Sequence, residues 1–86
     1  MKHETIRRSF EEFLKQKKLR LTRQRDEVFE LAFETHEHFT AETFLGWLNE
    51  RDSGVSRATV YRTLALLVDG GFLELLDVGT GEAWYE

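Results

Sequence analysis

The sequence predicts a small, mainly α-helical domain that ends in a β-hairpin. Apolar residues recur at helical spacing in most of the chain, and the period changes to that of strands only after Gly71. Proline is absent, so few breaks are forced on the helices. A chain of 86 residues forms one small domain, and the absence of cysteine excludes disulfides and thiolate metal sites.

The first predicted helix spans residues 4–17. Its apolar residues lie at helical spacing and predict a stripe that faces the core. The stripe consists of Ile6, Phe10, Phe13 and Leu14. The C-terminal end of this helix carries Lys15, Lys17 and Lys18, a placement that the helix dipole alone explains.

The second predicted helix begins after Thr22, whose hydroxyl is suited to cap it, and runs to about Thr35. The spacing of its apolar residues predicts one buried face, with Leu31 near the edge of that face. The predicted buried residues are Val28, Phe29, Ala32 and Phe33.

Two arginines, Arg23 and Arg25, lie in the first turn of this second helix, where the helix dipole disfavours cations. Their placement is favourable if an anion such as a phosphate binds at the helix N-terminus. The alternative is an ordinary solvated surface without a ligand. Both arginines are therefore candidate phosphate contacts.

A polar joint, residues 36–39, precedes a third predicted helix, which Thr40 caps and which runs from Ala41 to about Arg51. The apolar positions of this helix predict one buried face. They are Phe44, Leu45 and Leu48, with Trp47 beside them. Of the joint residues, His36 and His38 are possible metal ligands, but transition metals usually take four or more ligands, and a pair of surface histidines is the alternative.

Residues 52–55 form a predicted tight turn in which Gly54 can adopt a positive φ. A fourth helix follows from the Ser56 cap to a left-handed stop at Gly70 and Gly71. Its apolar residues lie on one face and consist of Val60, Leu64, Leu67 and Val68. A helix, a glycine-bearing turn and a second helix form the helix-turn-helix pattern.

The opposite face of the fourth helix carries basic, hydroxyl and aromatic side chains, with no acid among them. They are Arg57, Thr59, Tyr61 and Arg62. The second helix of a helix-turn-helix enters the major groove of DNA, and these residue types contact phosphates and base edges. The alternative is an amphipathic helix whose polar face is merely solvated.

The chain continues with two predicted strands, residues 72–78 and 82–86, joined by a turn at residues 79–81. A hairpin directly after a recognition helix is the wing of a winged helix-turn-helix fold, here with an additional N-terminal helix. The hairpin contains four acids and no base, so we do not expect it to bind phosphate strongly.

Charge is distributed unevenly along the chain. The net charge is −4, yet residues 1–25 hold nine bases and three acids, a net +6. Residues 26–86 hold three bases and thirteen acids, a net −10, and two of these bases are Arg57 and Arg62. A DNA-binding protein needs one basic face rather than a basic composition, so the distribution permits double-stranded DNA as a partner.

Other classes of function have less support. A winged-helix protein-interaction module without specific DNA binding would use the acidic face of residues 26–52 against a basic partner. An enzyme is not expected, because the chain has neither a glycine-rich phosphate loop nor a nucleophile arranged with a base. No apolar run approaches the roughly 18 residues of a membrane span. The N-terminus is charged rather than signal-like, which predicts a cytoplasmic protein without a membrane partner.

Four segments of the chain resemble the N-terminal DNA-binding domain of the ferric uptake regulator family. They are LRLTRQRDEVFELA, HFTAETFLGWL, VSRATVYRTLALLVDGGFL and GTGEAWYE, within the range from Leu19 to Glu86. The most specific piece is ATVYR, from Ala58 to Arg62. The sequence departs from the family at residues 23–25, where many relatives carry a proline before the arginine.

The resemblance implies a winged helix in a metal-responsive transcriptional regulator, generally a repressor, that binds A·T-rich inverted repeats as a homodimer. It implies that Tyr61 and Arg62 face major-groove bases and phosphates, and that Arg20 matches a basic residue that reaches the minor groove. It also implies that His38 and Glu86 match metal ligands, which combine with ligands from a C-terminal dimerisation domain.

The chain stops inside its last predicted strand, so we expect residues 1–86 to be a single DNA-binding domain from a longer protein. The resemblance implies a divalent metal ion (iron, zinc, manganese or nickel) for the full-length protein. Without the C-terminal metal-binding dimerisation domain, these residues should hold no metal ion tightly.

Overall fold

The computed structural model describes residues 2–77 and 83–86. Along the chain, the helices are α1 (Lys2–Gln16), α2 (Arg23–Glu34), α3 (Ala41–Glu50) and α4 (Arg57–Asp69), and the strands are β1 (Phe39–Thr40), β2 (Leu75–Asp77) and β3 (Ala83–Tyr85). This mainly helical architecture with a small sheet confirms the predicted winged helix with an additional N-terminal helix. Within the described ranges, no helix combines the length and the apolar character that crossing a membrane would require.

Hydroxyl groups cap three of the helices at the predicted residues. Each accepts a hydrogen bond from the backbone N–H three residues later: Thr22 from Arg25 at 3.2 Å, Thr40 from Thr43 at 3.1 Å, and Ser56 from Thr59 at 3.2 Å. The first turn of a helix leaves such N–H groups without intrahelical partners, so each cap favours the helix that it begins.

The core lies between the helices and the sheet. Phe10 of α1, Phe39 of β1 and Phe44 of α3 are among its largest fully buried side chains. The ring of Phe10 stacks on that of Phe29 in α2, with ring centroids 5.4 Å apart. α4 packs against both α2 and α3, and Leu64 is fully buried in that contact region. The helix-turn-helix is thus held from behind by the rest of the domain.

The predicted buried face of α2 is wrong at two positions, Leu31 and Phe33. Leu31, predicted near the edge, is 5% exposed, whereas Phe33, predicted to be buried, is 37% exposed. The buried side contains Val28, Leu31 and Ala32, which are i, i+3 and i+4 neighbours on one helix face. Phe33 lies further round the helix, where its ring packs 4.7 Å from that of His3 in α1.

The strands form one antiparallel sheet in the order β1-β3-β2. Pairing of Leu75 with Tyr85 confirms the predicted strand pair, although β2 begins at Leu75 rather than at residue 72. β1 was not predicted, and its Phe39 pairs with Tyr85 from the other side. The predicted turn at residues 79–81 and the adjoining ends of the two strands, Val78 and Glu82, lie outside the described residues.

The glycines at the turns have two different roles. Gly54 and Gly71 adopt φ angles of 76° and 81°, the left-handed region predicted for both. Gly70 was predicted to share the left-handed stop but has φ −84°, in the right-handed region. A side chain at Gly70 would lie 2.6 Å from the ring of Phe72, so this position needs glycine for close packing instead.

Thr63 is a buried threonine of α4, with 1% of its surface exposed. Its hydroxyl has no hydrogen-bond partner within residues 2–77 and 83–86. A buried polar group without a partner costs about 1–3 kcal/mol, and valine replaces the hydroxyl with a methyl group of similar size. We therefore expect Thr63→Val to raise the free energy of unfolding, measured in urea, by about 1 kcal/mol.

The matched control is Thr22→Val, the same change at a helix cap. This variant loses the hydrogen bond to the N–H of Arg25 and should lower the free energy of unfolding by about 1 kcal/mol. If Thr63→Val also lowers the free energy of unfolding, the Thr63 hydroxyl stabilises the fold and the prediction is wrong.

Candidate nucleic-acid interface

α4 presents a continuous exposed face at the second helix of the helix-turn-helix. We call it the α4 face; it consists of Arg57, Ala58, Tyr61, Arg62 and Ala65, all exposed. These positions recur at i, i+1, i+4, i+5 and i+8, which places them on one side of the helix. The α4 face is opposite the buried side chains of Val60, Leu64 and Leu67. A cationic and aromatic surface is thereby fixed to a rigid, buried support.

Two members of the α4 face, Ala58 and Ala65, were not among the predicted contacts. Their methyl groups keep the surface low between the longer side chains, which permits close approach to a groove. An alanine methyl can also contact the methyl group of thymine. The signal was available in the sequence, because both alanines share the spacing of Arg57, Tyr61 and Arg62.

Thr59, a predicted DNA contact, has a structural role in the cap of α4. It is half-buried, its backbone N–H donates to the Ser56 hydroxyl at 3.2 Å, and its own hydroxyl lies 3.0 Å from the Ser56 oxygen. Its backbone and side chain thus stabilise the N-terminal turn that carries Arg57. A contact between Thr59 and DNA remains a prediction.

An acidic residue of α3, Glu42, lies against the α4 face. One oxygen of its carboxylate, Oε2, accepts hydrogen bonds from Nη1 of Arg57 and, at 2.8 Å, from the hydroxyl of Tyr61. The sequence pattern placed no acid on this face, because Glu42 is fifteen residues before Arg57 and belongs to another helix. The structure therefore shows a carboxylate beside the predicted DNA contacts that the sequence did not reveal.

The contact shifts the pKa of all three groups. Hydrogen bonds from Arg57 and then Tyr61 lower the pKa of Glu42, and the hydrogen bond to Glu42 raises the pKa of Arg57. A carboxyl with a lowered pKa stabilises the fold above its unfolded-state pKa, and that contribution is lost as pH falls through the folded-state pKa. Near neutral pH, Glu42 is thus ionised and the contact is present.

The pKa of Tyr61 is also raised, chiefly by the hydrogen bond that its hydroxyl donates to Glu42. We expect Glu42→Ala to bring the pKa of Tyr61 back toward about 10, its ordinary value. Alkaline titration followed by phenolate absorbance measures this shift, because the chain has only two tyrosines. Tyr85 is the internal reference: burial raises its pKa, which should not change. An unchanged pKa of Tyr61 would mean that the contact with Glu42 does not form in solution.

Arg62, by contrast, is exposed and has no ion pair or side-chain hydrogen bond within the described part of the chain. Its guanidinium is therefore available to a ligand without displacing a protein group. Guanidinium groups bind phosphate and the edge of guanine with two parallel hydrogen bonds.

The three arginines around the start of α2 have different surroundings. Arg20 is exposed, and its backbone carbonyl accepts a hydrogen bond from Nη1 of Arg25 at 2.6 Å. Arg25 thus fixes the connection between α1 and α2, while Arg23 forms an exposed ion pair with Glu27 one turn along the helix. The region is cationic, as predicted, but two of its three guanidinium groups already have protein partners.

His38 and Glu86, the predicted metal-ligand pair, lie side by side. The ring nitrogen Nε2 of His38 is in contact with a carboxylate oxygen of Glu86. The register of the sheet explains this contact: Phe39 pairs with Tyr85 in antiparallel strands, so the residues one step outward are also opposite each other. The long-range pairing of β1 with β3 therefore creates the pair.

An imidazole nitrogen and a carboxylate oxygen are suitable donors for a divalent transition metal. Both side chains are about half exposed, so additional ligands have access to them. No group of three or more ligating side chains is present within residues 2–77 and 83–86. His38 and Glu86 thus bring together two donors of the kind that a metal site uses, and the assignment of a metal ion to them remains a prediction.

The sequence model of the ferric uptake regulator family matches residues 16–86. The "Ferric uptake regulation protein" of Synechococcus elongatus is 38% identical over 69 residues, which cover 78% of this chain and 47% of that protein. The chain spans about half the length of the curated relatives it matches.

Solved structures agree with this result. The ferric uptake regulator Fur of Helicobacter pylori, described with three functional metal-binding sites, has a TM-score of 0.75 and 26% identity, covering 96% of this chain and 53% of that one. PerR of Streptococcus pyogenes, described in relation to peroxide sensing and gene regulation, has a TM-score of 0.72 and 30% identity, covering 87% and 52%.

Proposed function

This chain belongs to the ferric uptake regulator family, and we propose that it is the DNA-reading domain of a metal-responsive transcriptional repressor. Proteins of this family are transcription regulators and not enzymes, in agreement with the prediction for this chain. The proposed ligand is double-stranded DNA with a preferred sequence, and a cytoplasmic location is part of the proposal.

The observation that carries the proposal is the α4 face. It combines the exposed side chain of Arg62, the half-exposed ring of Tyr61 and two alanines on the second helix of a helix-turn-helix. Phosphate contacts position a protein on DNA, while base-edge contacts in the major groove supply specificity. We assign base reading to Tyr61 and Arg62, and a phosphate contact to Arg57.

The arginines near the start of α2 are the second part of the proposed interface. Arg20 is exposed and is proposed to reach the minor groove, whereas Arg23 and Arg25 are proposed to contact phosphate. Because Arg23 and Arg25 have protein partners, their contribution requires that these contacts rearrange or share their donors.

We further propose that His38 and Glu86 are metal ligands in the full-length protein. Their contact across β1 and β3 supports this role, since it needs no rearrangement of the backbone to place two donors together. A bound divalent ion would link the wing strand β3 to the joint before α3. The remaining ligands are proposed to come from a C-terminal dimerisation domain.

The proposed operator is an A·T-rich inverted repeat, read by a homodimer of the full-length protein. A two-fold symmetric dimer places two recognition helices on two half-sites. The domain of 86 residues alone should bind weakly, because linked half-site contacts raise the effective concentration of the second domain.

The test is a titration against two fluorescently labelled duplexes at low and moderate salt. One carries an A·T-rich inverted repeat and the other a scrambled sequence of equal composition. We expect preference for the repeat, weaker binding at moderate salt because phosphate contacts release counterions, and loss of the preference in Tyr61→Ala. Equal binding to both duplexes would reduce the function to phosphate binding. No binding at low salt would favour the protein-interaction module.

A further inference from the structure

Glu42 occupies two donors of the α4 face through a single carboxylate oxygen. Its Oε2 atom accepts from Nη1 of Arg57 and from the hydroxyl of Tyr61 at 2.8 Å. The ion pair is open to solvent, with 60% of the Arg57 side chain and 58% of the Glu42 side chain exposed. The carboxylate is therefore at the surface that would meet DNA, rather than inside the domain.

An exposed ion pair contributes little to folding, with a median near 0–1 kcal/mol. Glu42 is not a helix cap either, since the hydroxyl of Thr40 performs that function for α3. A carboxylate beside the binding surface also repels phosphate, because its charge has the same sign. Glu42 lies in the first turn of α3, where the helix dipole favours an acid. Folding thus gives only a modest reason for an acid here, whereas its contacts with Arg57 and Tyr61 place its charge at the proposed binding surface.

We propose that Glu42 determines specificity by holding Arg57 and Tyr61 in the free protein, so that DNA must displace its carboxylate before these two residues can bind. The proposal rests on the proposed function of the α4 face. A duplex that lacks the preferred bases can replace the carboxylate of Glu42 only with phosphate contacts. The displaced carboxylate stays nearby and repels that phosphate. A preferred duplex also offers base edges to Tyr61 and to the neighbouring Arg62.

This arrangement predicts unequal effects on two kinds of binding. Non-specific binding consists almost entirely of phosphate contacts, so a negative charge among the donors should reduce it strongly. Specific binding adds hydrogen bonds to bases, and Tyr61 can make them once its hydroxyl has left Glu42. Glu42 therefore acts as a repulsive element that lowers the affinity for competing sites more than the affinity for the operator.

The test compares Glu42→Gln with the parent chain on the operator-like duplex and on the scrambled duplex of equal composition. Glutamine keeps the size of the side chain and can still accept from Tyr61, but it removes the charge. We expect affinity for the scrambled duplex to rise roughly two- to fivefold, as for one exposed charge interaction, and affinity for the operator to rise less. The slope of log affinity against log salt on scrambled DNA should steepen by about 0.9, for one additional phosphate contact.

Glu34→Gln is the matched control. Glu34 also pairs with an arginine, Arg51, and the two side chains are 53% and 50% exposed, but neither belongs to the α4 face. The control makes the same change in net charge, so it should alter neither the ratio of the two affinities nor the salt slope. An equal effect of Glu34→Gln would reduce the role of Glu42 to the net charge of the domain.

The outcomes separate this proposal from the proposed function. If the parent prefers the operator and Glu42→Gln raises both affinities by the same factor, or lowers either, the role of Glu42 is wrong while DNA reading stands. If the parent chain binds neither duplex at low salt, and Glu42→Gln binds neither, the proposed function itself fails. The proposal is supported if Glu42→Gln, but not Glu34→Gln, lowers the ratio of operator affinity to scrambled-duplex affinity while its thermal unfolding temperature is unchanged.

Discussion

Replacing Arg62 with alanine is expected to weaken binding to an operator-like duplex by about 1–3 kcal/mol, the range for loss of one arginine that contacts a base edge. Arg62 is exposed on the α4 face, and no protein group among the described residues competes for its guanidinium. The substitution should therefore lose the whole free energy of its contact with DNA, because no protein group has to be displaced from Arg62 before DNA binds. Fluorescence anisotropy with the operator and scrambled duplexes measures the loss and shows whether it is specific.

The matched control for Arg62→Ala is Arg8→Ala. Arg8 is an exposed arginine on a helix, but it belongs to α1 and not to the α4 face. Loss of its charge should reduce both affinities slightly and equally, through the overall electrostatic attraction. If Arg62→Ala binds the operator as tightly as the parent chain does, the assignment of Arg62 is wrong. If its loss is equal on both duplexes, Arg62 contacts phosphate only.

The elements with local signals were predictable from the sequence. Thr22, Thr40 and Ser56 cap their helices because a hydroxyl at that position satisfies an N–H only three residues away. Gly54 and Gly71 adopt positive φ because turns at those points require it. These features are determined by a few residues that are adjacent in the sequence, so they can be predicted from the sequence alone.

The features that were missed depend on residues far apart in the chain. β1 has only two residues, too few for a periodic pattern, and it exists because Phe39 meets Tyr85 across the sheet. The exchange of Leu31 and Phe33 on α2 reflects which side its neighbours cover, which the spacing of apolar residues within one helix does not determine. A helix face is recognised from its own residues, but its exact orientation comes from packing.

The candidate site shows the same division. The spacing of Arg57, Tyr61 and Arg62 on one side of α4 follows from helix geometry alone. The contact of Arg57 and Tyr61 with Glu42 requires the angle and distance between α3 and α4, which only the folded core provides. His38 and Glu86 were predicted together only because the chain resembles a known family. The register of β1 against β3 gives the physical reason for their contact.

Replacing Phe10 with alanine is expected to cost about 3–5 kcal/mol of the free energy of unfolding, as for other buried phenylalanines. Phe10 is fully buried, and its ring contacts those of Phe29 in α2 and Phe72, each at a centroid distance of 5.4 Å. The family match begins only at residue 16, yet these contacts place α1 in the same hydrophobic core as α2. Urea denaturation followed by circular dichroism measures the loss.

Phe33→Ala is the matched control for Phe10→Ala, because Phe33 is a helical phenylalanine that is 37% exposed. Removal of its ring leaves an open edge rather than a closed cavity, so its cost should be less than half that of Phe10→Ala. A domain of this size has a total stability of about 4–13 kcal/mol, so Phe10→Ala is at risk of unfolding the chain outright. Phe10→Leu, which leaves a smaller cavity, then supplies the measurement. A cost at Phe10 no larger than at Phe33 would mean that α1 is not part of the cooperative fold, and that residues from α2 onward support the α4 face alone.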